Sequence, residues 1–190
     1  MKTFGFPEGE ARNDRRAGDT ESEALYAELR GGKYSDYPFN THDLGEGMAM
    51  VEEVICGYWK PRYLVDNEAG RAFEFMDSGE HLATVGLGDI EWGTLEGLPG
   101  EVLERARRLS AHFPTMVSRF EHGVAEVSWT LNPDGMYYMD DDGYGMTDDE
   151  EVKVYGYIDR GGRVSAKFRM INDYSELKAM RAEAEAKAAR

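Results

Sequence analysis

MVSRFEHGVAEVSWTLNPDGMYYMDDDGYGMTDDEEVKVYGYIDRGGRVSAKFRM, residues 116–170, is the stretch that decides the fold. Apolar and polar side chains alternate through most of it, the period of strands that bury one face. The alternation is interrupted at His122-Gly123, at Asn132-Pro133-Asp134-Gly135 and at Arg160-Gly161-Gly162, residues that suit tight turns. Three hairpins in succession follow, an antiparallel meander.

Because a slip of one residue would turn every side chain to the other face, the pattern also predicts register. A two-residue turn at His122-Gly123 sets Phe120 against Ala125, Ser118 against Val127 and Met116 against Trp129, with Arg119 meeting Glu126 on the opposite face. A three-residue loop ending in Gly135 sets Leu131 against Tyr137 and Trp129 against Met139. In the last hairpin a two-residue Gly-Gly turn would mix the faces. A three-residue Arg160-Gly161-Gly162 loop instead pairs Ile158 with Val164, Gly156 with Ala166, Val154 with Phe168 and Val152 with Met170. The opposite face, with Lys153, Tyr155, Tyr157 and Asp159 across from Arg169, Lys167, Ser165 and Arg163, reads as polar and free of any need for cover.

Upstream of this stretch, Val102, Leu103, Ala106, Leu109 and Phe113 fall on one face at helical spacing after Pro99. Acidic residues lie early and arginines late, as the helix dipole favours. Strands are expected over 48–58, 62–66 and 71–76, with a turn at 67–70; residues 34–47 and 77–97 read as loops. Thr20 and Glu23 form a capping-box pair for a short helix stopped at Gly31-Gly32, and residues 1–19 read as a mobile arm before a single domain over 20–190. Downstream, Asp173 and Glu176 cap a helix with Leu177, Met180 and Ala184, whose last turns are expected to fray for want of apolar surface. The expected fold is α+β: an antiparallel meander over about 115–171, packed on one face by helices.

The chain has 190 residues and a formal net charge of −15. That field repels nucleic-acid phosphates and anionic lipid headgroups, and favours a basic protein partner. Cys56 is the single cysteine, so an internal disulfide cannot form and a reducing, cytoplasmic setting is the simpler expectation. No apolar run approaches the about 20 residues of a membrane-spanning helix.

Chemistry-bearing motifs are few. Gly86, Gly88 and Gly93 lack the spacing of a dinucleotide loop, and Asp89 and Glu91 would repel phosphate. His42, His81, His112 and His122 stand too far apart for a local zinc site. His122 is explained by its turn and His112 by a helix end that favours its charge. His42 with Asp43 and Glu46 could join a site assembled from distant segments. No catalytic residue is assigned.

The informative segment is the acidic connection. Asp140, Asp141, Asp142, Asp148, Asp149, Glu150 and Glu151 lie together with Tyr144 and no basic residue among them. As a calcium loop it resembles an EF-hand over twelve residues, with Asp140, Asp142, Gly145, Asp148 and Glu151 at positions one, three, six, nine and twelve. Position five is Tyr144 instead of an oxygen-rich residue, and the Asn-Pro-Asp-Gly before it cannot continue an entering helix. Calcium is the one cofactor this segment suggests. Clustered carboxylates beside tyrosines also supply steering charge and anchoring area, so all eight residues are expected to contact a basic partner. The leading expectation is therefore a non-enzymatic interaction module of the inhibitor, immunity or adaptor kind. An enzyme drawing its pocket from 34–47 and 77–97, or a calcium binder through 140–151, are the alternatives.

Overall fold

Leu44, Met48, Met50, Leu64, Phe73 and Phe75 project from one sheet, and Val117, Ala125, Val127, Trp129, Val154 and Phe168 from another. The two sets meet in one buried core. The computed structural model describes residues 2–3, 39–55, 58–75, 85–109, 112–131 and 151–190. Among them the first sheet is antiparallel, in the order β1 (Lys2–Thr3), β2 (Phe39–Gly45), β3 (Met48–Ile55), β4 (Tyr58–Asp66), β5 (Arg71–Glu74). The second is the meander β6 (Met116–Val117), β7 (Val124–Thr130), β8 (Lys153–Asp159), β9 (Val164–Met170). Two helices complete the described fold, α1 (Gly100–Arg107) and α2 (Tyr174–Ala188). The α+β class and the antiparallel meander are as the alternation predicts.

The expected helix 20–30, most of the arm and the strand containing Tyr137 and Met139 lie outside the described residues. At the arm's start, Lys2 and Thr3 pair with Thr41 and Asn40 along the edge of β2. Residues 39–45 form a strand, whereas the sequence read 34–47 as a loop. Polar Asn40 and His42 alternate there with Thr41 and Asp43, so no apolar stripe announces it. No described helix is long and apolar enough to cross a membrane.

The meander keeps its predicted turns at His122-Gly123 and Arg160–Gly162 but not its predicted register, and the turn expected at Asn132–Gly135 lies outside the described residues. Glu121 bridges Val124 as a two-residue turn requires, yet Met116 pairs with Ser128 and Val117 with Val127, one residue away from expectation. The slip falls at 118–120, where the Phe120 N–H donates to the Leu44 carbonyl at 2.6 Å and so ties this chain to the other sheet. Leu131 donates to the Val152 carbonyl at 2.7 Å, and Trp129 pairs with Val154. β8 therefore holds the edge of β7 that was expected to take Tyr137 and Met139. In the last hairpin Ile158 faces Val164 as predicted, but two irregularities then bring Tyr157 to Ala166 and Val154 to Met170.

α1 buries Val102 and Ala106 in the core but ends at Arg107, so Leu109 and Phe113, expected on the same helical face, lie beyond it. Pro114 disfavours helix at Phe113, and the His112 carbonyl is taken by the Trp129 indole N–H at 2.9 Å. Two single-turn 3₁₀ helices, Leu87–Asp89 and Trp92–Leu95, run beside β9, with Glu91 N donating to the Phe168 carbonyl at 2.8 Å.

The outer face of the meander is the largest departure. α2 lies on it, and Val124, Tyr157 and Ala166 are buried against Met180 and Ala184. The helix begins at Asp173, whose carboxylate accepts from Ser175 N at 2.6 Å and Glu176 N at 3.2 Å. Short side chains at Ala166 and Ala184 let helix and sheet approach closely. The core is thus sheet, sheet and helix in layers, in place of one sheet with one covered face.

Candidate functional site

α2 covers the β8 and β9 side of the outer face and leaves a recess on the β6 and β7 side. Its volume is about 260 Å³. Val124 and the paired side chains of Glu126 and Tyr157 come from neighbouring strands, Ser118 and Arg119 from the stretch after β6, Glu121 from the turn, and Arg181 from α2. Outward alternation puts Glu126 and Tyr157 side by side, directly across the β7–β8 ladder.

The Tyr157 hydroxyl donates to Glu126 Oε2 at 3.1 Å. Burial, and then the Glu126 charge, push the phenol's pKa far up, so it stays a protonated donor at neutral pH. At the rim, Arg181 donates to Glu121 at 2.5 Å and to Glu185 at 2.9 Å, and His122 Nδ1 lies 3.1 Å from Glu185. Hydrogen bonding from Arg181 holds both carboxyls below the ordinary glutamate range. Among the described residues the ion pairs of this corner are those three, and Arg119 and Glu126 take part in none of them.

A second ionic cluster lies in the first sheet. A register irregularity after Val51 leaves Arg62 as an extra residue of β4. Its guanidinium stands 2.7 Å from the wholly buried Glu74 and 3.7 Å from Glu53, between the Tyr63 and Phe113 rings at 5.5 Å each. Such a pair adds little net stability, because taking both charges out of water offsets their attraction. Nothing in the alternation of 58–75 distinguishes it.

Asp140, Asp141, Asp142, Tyr144, Asp148, Asp149 and Glu150 lie outside the described residues. Glu151 is exposed and paired with Lys153. Of the four expected calcium ligands only Glu151 is therefore described, and among the described residues no group of three His, Cys, Asp or Glu is placed to hold a metal. The bond between Leu131, next to β7, and Val152, next to β8, brings together the two ends of the 132–151 segment that contains the acidic connection.

His42, Asp43 and Glu46 do not converge. His42 Nε2 lies 2.7 Å from Glu52, Asp43 accepts from Gly45 N at 2.8 Å, and Glu46 accepts from Gly123 N at 2.9 Å. The Gly86 N–H, which a phosphate loop would present to its ligand, donates to Asp89 at 2.8 Å. His112 also departs from expectation. Burial, with Arg105 and Arg108 adding to it, lowers its pKa, and α1 ends at Arg107, short of the position from which its dipole would favour the charged ring. Of the two loops expected to build an enzyme pocket, the described part of 34–47 is strand and turn in the first sheet, while 85–97 runs along β9 of the second.

Comparison with known proteins finds no matching family model, no matching curated protein and no matching solved structure.

Proposed function

We propose that this chain is a non-enzymatic interaction module, acting as an inhibitor, an immunity-type protein or an adaptor, that engages a basic surface of another protein through its acidic connection. The observation that supports it most is the Leu131–Val152 hydrogen bond, which brings together the two ends of a carboxylate-rich segment next to neighbouring strands of a packed sheet. Anchored ends reduce the conformational freedom lost on binding, and the concentrated negative charge accelerates encounter with a basic partner. The net charge of −15 acts in the same direction at longer range.

The test is a quadruple neutralisation, Asp141→Asn, Asp148→Asn, Asp149→Asn and Glu150→Gln. A partner is first captured from the native host with the wild-type chain, and its association kinetics are then measured at low and moderate ionic strength. Association with the neutralised chain should be at least about tenfold slower at low salt, with the melting temperature unchanged. Equal association rates for the two chains would remove the acidic connection from the reading.

A further inference from the structure

Side-chain alternation sets Arg119 opposite Glu126, and in the structure no ion pair joins the two. Because the Phe120 N–H is drawn to Leu44 of the first sheet, the ladder slips and Ser118 stands beside Glu126 instead. Ser118 N donates to the Glu126 carbonyl at 2.9 Å, and Glu126 N donates to Ser118 Oγ at 2.8 Å. Arg119 lies against Gly45, where an added Cβ would come 3.4 Å from its Nη2. Both charged side chains still line the recess beside α2.

The remaining charges there are matched, since Arg181 serves Glu121 and Glu185. Tyr157 occupies one oxygen of Glu126 and leaves acceptor capacity on the carboxylate. A carboxylate only accepts and a guanidinium only donates, so the recess presents one group that seeks a cation and one that seeks an anion. Its two guanidinium groups and two carboxylates carry no net charge. A simple cation would be repelled by Arg119 and a simple anion by Glu126 and Glu121. The volume of about 260 Å³ falls below the about 300–1,000 Å³ of pockets for drug-sized ligands.

We propose that this recess binds an amino-acid-sized zwitterion, with its ammonium group donating to Glu126 and its carboxylate accepting from Arg119. The Tyr157 phenol holds the Glu126 carboxylate in place. This inference does not depend on the acidic connection.

Saturation-transfer NMR on the full chain with free L-serine, L-threonine and L-glutamine tests it. The N-acetyl and methyl-ester forms of each amino acid lack one charge and serve as controls. At least one free amino acid should bind saturably, and both of its derivatives should bind at least about tenfold more weakly. Glu126→Gln and Arg119→Gln should each abolish the signal, and Glu183→Gln on the exposed side of α2 should leave it intact. Absence of binding by all three amino acids overturns the proposal, as does equal binding of a derivative and its parent. The ligand comparison decides even where a variant fails to fold, and binding that survives both folded variants places the ligand elsewhere.

Discussion

The ring of Phe168 lies across Gly156 so closely that a Cβ added to the glycine would stand 2.7 Å from its Cδ1. Phe168 is wholly buried and meets Trp129 edge-on at 4.9 Å, so the ring has little room to retreat. Gly156→Ala should therefore destabilise the chain by about 1–3 kcal/mol through overpacking, read as a lower urea midpoint. Phe168→Leu frees part of that space, and the double variant should be less destabilised than the sum of the two singles. Strict additivity would show that ring and glycine do not compete.

That contact also explains which parts of the fold the sequence makes legible. Ile158 opposite Val164 follows from turn chemistry and alternation together, and it is found. Beyond it, the apolar face is kept by shifting the strand so that the Phe168 ring covers Gly156, and such a shift leaves no mark in a pattern of period two. The slip at 118–120 is equally hidden, because its cause is a bond from Phe120 to Leu44 far away in the chain. The candidate recess inherits that difficulty. Its open Arg119 and Glu126 arise from the slip, and alternation alone predicts them as a pair.

Met180 and Ala184 show how a covered face escapes notice. The sequence places both on one helix with Leu177, and the outer face of the meander reads as polar and free of any need for cover, yet both residues are almost completely buried on Tyr157 and Ala166. Met180→Ala should cost about 2–5 kcal/mol, whereas Glu183→Ala, which removes an exposed pair with Lys187, should change stability by less than about 0.5 kcal/mol. Thermal unfolding followed by circular dichroism separates the two. A Met180→Ala chain melting with the wild type would mean that α2 does not cover the sheet in solution.

Arg181 gives the same helix an acid-sensitive tie. Its bonds hold Glu121 and Glu185 below the ordinary glutamate pKa, which is about 4.3. A carboxyl with a depressed folded-state pKa contributes stability above its unfolded value, and that contribution is lost as pH falls through the folded value. Arg181→Gln should therefore melt below the wild type at about pH 7, with the gap closing towards about pH 3. A gap of constant size across that range would show that the arginine acts through packing alone.

His112 titrates in a different window. Burial and the nearby Arg105 and Arg108 disfavour its imidazolium, so the folded pKa lies below the unfolded one. The unfolded chain then takes up the proton first, and the His112 contribution to stability declines as pH drops through the ordinary histidine value of about 6.5. The backbone carbonyl, not the ring, receives the Trp129 indole, so His112→Gln keeps that anchor while removing the titration. Between about pH 7.5 and about pH 5.5 the wild-type urea midpoint should fall further than that of His112→Gln. His42 and His122 are common to both chains and cancel in the comparison. Parallel declines would mean that His112 is as free to protonate in the folded chain as in the unfolded one, and that the arginines at the end of α1 do not bear on it.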